Sequence, residues 1–140
     1  MSSVLAFDFG KQRTGIAIGN TVTGIATPHS TIQSKNNKPD WEKITKLLQE
    51  WQPEQLVVGV PYYLDGKSSE MTEAALRFSR QLEGRYNLPI STINEQLSSR
   101  EAEQRLKQSR QQGRNKKITK EDIDKLAAAI ILESWFQTQL

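Results

Sequence analysis

The chain has 140 residues, of which 36% are hydrophobic, and a chain of this size can bury an apolar core without disulfides. It contains no cysteine, which excludes disulfide scaffolds, thiol nucleophiles and cysteine-ligated zinc sites. The formal net charge of +3 favours an anionic partner, but the excess is so small that the placement of the cations matters more than their number. We expect one domain over residues 1–140. Because the first residues have neither the basic start of a signal peptide nor the apolar length of a membrane span, we expect a cytoplasmic protein with no membrane partner.

Three β-rich runs open the chain, separated by turn-forming residues. They cover residues 3–9, 15–19 and about 24–33, and their order predicts an antiparallel meander. Apolar residues then recur at helical spacing from Trp41 to Trp51, before the short apolar run LVVGV. A wholly apolar run of this length is typical of a buried parallel strand.

Helices and strands alternate in the second half of the chain. The pattern predicts a helix over about 69–84, with Gly84 as its stop, and a fifth strand over residues 88–93. A third helix over about 98–108 and a last helix opening at Thr119 complete the order. This order predicts an α/β domain whose five-stranded mixed sheet is covered by helices on both faces.

Asp8 stands inside an apolar strand, where an ionised carboxylate is costly to bury unless a cation or several donors compensate for it. The positions two residues away are Ala6 and Gly10, which do not mark a solvent-facing strand. Gly10 and Gly15 would let the turn after this strand approach a phosphate closely. Asp8 is therefore a candidate functional carboxylate; the alternative is a carboxylate at an exposed sheet edge.

Asp124 projects into the apolar arc of the last helix, between Ile131 and Trp135. It lies too far along the helix to cap it, whereas Thr119 and Asp122 have the spacing of a capping box. Two interpretations stay open for Asp124: a functional carboxylate, or a buried acid paired with a lysine or arginine.

Glu95 follows the fifth strand and thus lies at the carboxyl end of a strand, where open α/β sheets place their ligand crevice. Its neighbours Asn94 and Gln96 would support it by hydrogen bonds if it is a ligand, and are plain loop residues otherwise. The single histidine, His29, cannot form a zinc site by itself and is given no role.

Residues 107–117 form a basic segment with no acidic residue. Such a segment either contacts a phosphate backbone or is a solvated loop. Its cations are Lys107, Arg110, Arg114, Lys116 and Lys117.

Four runs in order resemble the YqgF/RuvX-type family of the RNase H-like superfamily: DFGKQRTGIAIG, VVGVPYYLDG, NEQLSSREA and IDKLAAAIILESWF. The resemblance extends over residues 4–136. It implies an RNase H-like fold and a nuclease that matures the 5′ end of pre-16S rRNA or, alternatively, resolves Holliday junctions. It also assigns the family's first-strand aspartate, late-strand glutamate and final-helix aspartate to Asp8, Glu95 and Asp124.

The chain departs from the family pattern beside the glutamate. Asn94 and Gln96 stand where the family usually has an aspartate and an arginine, and Ser99 replaces the usual threonine. One possible acid and one possible cation are thereby lost, which leaves the number of metal ions open.

In the implied mechanism the three carboxylates hold one or two Mg²⁺ (or Mn²⁺) ions, and Lys11, Arg13, Lys116 and Lys117 contact phosphates of precursor rRNA or branched DNA, with ribosomal particles as further partners. Tyr62 and Tyr63 either stack on an unpaired base or cover the core. A nucleotide-binding phosphotransferase is a rival that the length opposes, because such folds need two domains of this kind. A nucleic-acid-binding factor without catalysis is a second rival, which the residues beside Glu95 favour.

Overall fold

The computed structural model describes residues 3–95, 98–111 and 118–140. Its sheet has five strands, namely β1 (Ser3–Phe9), β2 (Arg13–Asn20), β3 (Ile25–Gln33), β4 (Gln55–Val60) and β5 (Ile90–Asn94). The strand order is β3-β2-β1-β4-β5. The pairs β1–β2 and β2–β3 are antiparallel, and β1–β4 and β4–β5 are parallel. The predicted meander and the predicted mixed sheet are both confirmed.

The helices in the described ranges are α1 (Trp41–Trp51), α2 (Glu70–Tyr86), α3 (Ser98–Gln111) and α4 (Lys120–Thr138). Apolar residues of α1 and α2 form the main core with one face of the sheet, and those of α4 pack on the opposite face. Helix α3 packs on α4 through Ala102, Ala127 and Ile130. No helix in the described ranges is long and apolar enough to cross a membrane.

The strand alternation of β1 determines which face Asp8 takes. Leu5 and Phe7 belong to the core beneath α1 and α2, whereas Val4 and Ala6 belong to the cluster beneath α4. Because successive side chains in a strand point to opposite faces, Asp8 continues the row of Val4 and Ala6. Asp8 therefore lies on the α4 face, at the carboxyl end of a central strand.

The predicted bounds of α2 and of the fifth strand are wrong. Helix α2 runs through Gly84 to Tyr86 and is capped by Asn87, which has φ 52° and donates its backbone N–H to the Glu83 oxygen at 2.9 Å. An asparagine in the left-handed region ends a helix as glycine does, so Gly84 is not needed as a stop. The fifth strand covers Ile90–Asn94, later than the predicted range.

The ends of the last two helices bear on the acidic and basic residues. The predicted capping box of α4 is confirmed: Thr119 accepts from the Asp122 N–H, and Asp122 accepts from the Thr119 N–H, both at 3.1 Å. Helix α3 extends to residue 111, beyond its predicted end, so the beginning of the basic segment is helical and not a loop. Residues 112–117 lie outside the described ranges.

Candidate carboxylate site

Two of the predicted carboxylates lie at the same edge of the sheet. Since β1, β4 and β5 are parallel, their carboxyl ends meet at one edge, where Asp8 and Glu95 stand. The backbone N–H of Glu95 donates to the Val60 oxygen at 2.9 Å, so Glu95 adjoins the end of β4. Ile93, two residues before Glu95, packs in the cluster beneath α4. The backbone thus brings both carboxylates to one edge.

Helix α4 brings Asp124 to this edge by unusually close contact with β2. A Cβ atom at Gly15 would lie 2.0 Å from the backbone oxygen of Asp124, and Gly15 is the register partner of Asp8. Cβ atoms at Gly19 and Gly59 would lie 2.7 Å and 2.4 Å from side-chain atoms of α4. The prediction that Gly15 admits a phosphate is wrong, because the backbone of α4 occupies that space. The glycine instead lets Asp124 approach Asp8.

The electrostatics of Asp8 reflect this crowding. Burial, followed by the negative charges of Glu95 and Asp124, raises the pKa of its carboxyl group from 3.8 to about 8. Without an added cation, Asp8 is therefore mostly protonated at neutral pH. Asp8 thus interacts with both of the other predicted carboxylates, as expected for acids that share a site.

Arg13 provides positive charge within this group. Its Nε atom donates to Asp124 Oδ2 at 2.7 Å, and the two side chains are 23% and 19% exposed. The ion pair joins the start of β2 to α4. It agrees with the second interpretation of Asp124, because this acid is partly buried and paired with an arginine. A guanidinium has further N–H donors besides Nε, so this pairing does not exhaust its hydrogen-bonding capacity.

Lys11 lies in the turn that follows Asp8. Its Nζ atom is 3.7 Å from Glu70 Oε2, and both side chains are largely exposed. An exposed ion pair of this kind contributes little to stability. It does show that the turn after β1 lies against the start of α2.

Other residues considered from the sequence lie elsewhere. Lys107 is on α3, where its Nζ atom is 3.4 Å from Glu103 Oε1. His29 is exposed, its Nδ1 is 2.8 Å from Ser30 Oγ, and its ring packs edge-on against Trp51. Both rings border a mainly apolar cavity of about 510 Å³ at the opposite end of the sheet from Asp8. Lys116, Lys117 and Gln96 fall in the ranges that the structure does not describe.

The three acids have the right ligand chemistry for a divalent cation, but their side chains are not arranged around a common point. Within the described ranges, no three acidic or histidine side chains are already spaced to hold a metal ion. Carboxylate oxygens are the ligands that Mg²⁺ and Mn²⁺ prefer, and positive charge beside Asp8 would favour the ionised form that burial and the two neighbouring acids disfavour. A bound cation would supply that charge, with Arg13 turning away from Asp124. Sequence reasoning did not find the Arg13–Asp124 pair, because its partners are 111 residues apart and no local pattern links them.

Comparison with known proteins places the chain in a family. The sequence model of RuvX, described as a Holliday junction resolvase, matches residues 2–138. A relative from Dechloromonas aromatica, named "Putative pre-16S rRNA nuclease", is 47% identical over 138 residues, which cover 99% of this chain and 92% of the relative. A relative of the same name from Methylobacillus flagellatus is 48% identical over 133 residues, covering 95% and 89%.

Solved structures agree on the fold. RuvC from Thermus thermophilus, in complex with a Holliday junction substrate, superposes with a TM-score of 0.57 at 15% identity, covering 99% of this chain and 96% of the other. Fowlpox virus resolvase, in complex with Holliday junction DNA, gives a TM-score of 0.54 at 14% identity, covering 99% of each chain. At these identities the likeness establishes the fold alone, and the predicted RNase H-like fold is confirmed. By its sequence, the chain belongs to the RuvX family.

Proposed function

We propose that this chain is a metal-dependent nuclease that hydrolyses phosphodiester bonds in the 5′-end maturation of pre-16S rRNA. The observation that carries the proposal is the position of Asp8 at one sheet edge with Glu95 and Asp124, where burial and these two acids raise its pKa to about 8. A partly buried set of acids is costly to maintain unless a cation compensates for it. The RNA substrate comes from the names of the curated relatives.

In this proposal Asp8, Glu95 and Asp124 hold Mg²⁺ or Mn²⁺. When bound, such a cation lowers the pKa of a water nucleophile and stabilises the oxygen that leaves. Without it, Asp8 holds a proton and Arg13 neutralises Asp124. With the cation in place, Asp8 would be ionised and the Arg13 guanidinium would be available for a phosphate oxygen.

Other cations would position the substrate. Lys11, exposed in the turn after Asp8, is suited to a phosphate next to the one that is cut. Lys116 and Lys117 would bind the backbone further away. We assign the whole chain, residues 1–140, to one nuclease domain that acts in the cytoplasm on precursor rRNA or on ribosomal particles.

The proposal is tested by incubating the purified protein with an end-labelled precursor rRNA fragment, with Mg²⁺ or with chelator. We expect cleavage only with Mg²⁺, and none by Asp124→Asn. Glu54→Gln, which neutralises an exposed acid just before β4, serves as the control and should cleave like the wild type. Undiminished cleavage by Asp124→Asn would refute the site. RNA binding that is indifferent to both Mg²⁺ and Asp8→Asn would instead favour a binding factor without catalysis.

A Holliday junction resolvase is the second candidate, favoured by the description of the matching family. A resolvase that acts alone has to cut two strands symmetrically and therefore needs a twofold dimer. Paired cuts in a labelled four-way DNA junction, made by a species of dimer mass, would support this function. A monomer that cuts only the RNA would exclude it.

A further inference from the structure

Two large apolar side chains are exposed on the segment that joins β4 to α2. Tyr63 is 58% exposed and Leu64 is 80% exposed. The preceding residue, Tyr62, is partly buried and packs against the main core. The two tyrosines therefore differ: Tyr62 covers the core, whereas more than half of the Tyr63 side chain is accessible to solvent. We call residues 62–68 the Tyr63 turn.

Hydrogen bonds hold the Tyr63 turn in this shape. The Tyr63 N–H donates to the Lys67 oxygen at 2.9 Å, and the Gly66 N–H donates to the Tyr63 oxygen at 2.8 Å. Asp65 Oδ1 accepts from the Lys67 N–H at 2.9 Å. Gly66 has φ +86°, a conformation that suits glycine. The exposure of the two apolar side chains is thus built into the turn.

The turn also lies at the edge of the sheet that holds the carboxylates. The Val60 oxygen accepts from the Glu95 N–H, and Tyr63 is three residues after Val60, so the Cα atoms of Val60 and Tyr63 are at most about 11 Å apart. At the other end of the segment, Glu70 lies 3.7 Å from Lys11, in the turn after β1. The Tyr63 turn therefore follows the strand end that Glu95 adjoins and precedes the start of α2, which an exposed lysine contacts.

This combination of groups suits a nucleic acid strand. An aromatic ring stacks on any unpaired base, an apolar side chain can wedge against the exposed end of a base stack, and a nearby lysine binds phosphate. We propose that the Tyr63 turn is a base-stacking site, in which Tyr63 stacks on an unpaired base beside the bond that is cut and Leu64 packs against the end of the adjoining helix. This inference rests on the proposed nuclease function, since the stacked strand is the one that the carboxylates would cut. It makes the enzyme selective for a junction between paired and unpaired nucleic acid.

The test is binding without cleavage, measured with chelator and in an Asp8→Asn background. The probes are an RNA hairpin with a single-stranded 5′ overhang and the same hairpin with a blunt end, followed by fluorescence anisotropy. Tyr63→Ala should weaken binding of the overhang hairpin roughly 5- to 100-fold, while binding of the blunt hairpin stays unchanged. Tyr63→Phe keeps the ring and should bind like the parent.

The matched control is Val22→Ala, which removes a side chain that is 81% exposed in the turn between β2 and β3, at the opposite end of the sheet. It should bind both hairpins like the parent. A 2-aminopurine base in the overhang supplies a second readout, because stacking on Tyr63 should quench its fluorescence and Tyr63→Ala should restore it.

Unchanged overhang binding by Tyr63→Ala, or an equal loss on both hairpins, would overturn the stacking site. So would a Tyr63-dependent dimer on gel filtration, which would mean that the turn contacts a second copy. Cleavage by the otherwise wild-type chain is measured separately: cleavage with Tyr63-independent binding refutes only the stacking site, and Tyr63-dependent binding without cleavage refutes only the nuclease.

Discussion

Replacing Asp8 by asparagine should stabilise the metal-free protein while it destroys the site. In the folded state the pKa of Asp8 is raised from 3.8 to about 8, so the folded protein binds more protons than the unfolded chain between these two values. Stability therefore falls as the pH rises through this window, and Asp8→Asn escapes the loss because an amide does not titrate. The interval of about three pH units between 3.8 and neutrality, at about 1.4 kcal/mol for each unit, corresponds to about 4 kcal/mol at pH 7.

Urea unfolding with chelator measures this difference. The free energies of unfolding of wild type and Asp8→Asn should be similar near pH 4 and should separate steadily up to about pH 8, with the variant more stable. Saturating Mg²⁺ should narrow the gap, because a ligand that binds only the folded wild type stabilises it. Glu54→Gln is the control for loss of an acidic charge and should follow the wild type. If the free energies of unfolding of wild type and Asp8→Asn instead change in parallel across this range, the pKa of Asp8 is not raised in the folded state.

Three further predictions concern neighbouring positions. Arg13→Gln removes the ion pair with Asp124 and should lower the stability of the metal-free protein by about 1–3 kcal/mol. The same variant should bind Mg²⁺ more tightly in calorimetry. Weaker Mg²⁺ binding would contradict the proposal that Arg13 neutralises Asp124 when no metal is bound. Gly15→Ala places a Cβ atom against the backbone of α4 and should lower the free energy of unfolding by more than about 3 kcal/mol. Gly84→Ala has open space around it inside α2 and should raise the free energy of unfolding by about 0.5–1 kcal/mol. Equal midpoints of the two variants in thermal unfolding would contradict this. Lys116→Gln combined with Lys117→Gln should reduce the slope of log affinity against log salt by about 1.4–1.8 if both contact phosphates, and an unchanged slope would identify a solvated loop.

The face and position of the acids were largely predictable from the sequence. Asp8 interrupts an apolar strand and Asp124 interrupts an apolar helical arc, and both positions conflict with burial unless something compensates for the charge. Strand alternation and helical periodicity are local properties, so they survive folding and can be read directly. The interaction between the two acids depends in addition on the packing of α4 against the face of β1 that carries Asp8.

What failed depended on contacts between distant elements. Gly15 has the same sequence signature whether it serves a turn or makes room for a helix, and only the packing of α4 on β2 distinguishes these uses. The pairing of Arg13 with Asp124 depends on the same packing. The end of α2 is a different case, because Asn87 and Gly84 are both local signals for a helix end, and the left-handed cap forms at Asn87.

The proposed cation site at Asp8 is tested most directly by the pKa of this residue, measured by NMR from its carboxyl carbon with and without Mg²⁺. We expect a value near 8 in chelator and a downward shift of several units when Mg²⁺ is added, because a bound cation favours the ionised form. An ordinary aspartate pKa in chelator that Mg²⁺ does not change would contradict it. In that case Asp8 would neither be crowded by the other acids nor bind the cation on which the proposed nuclease depends.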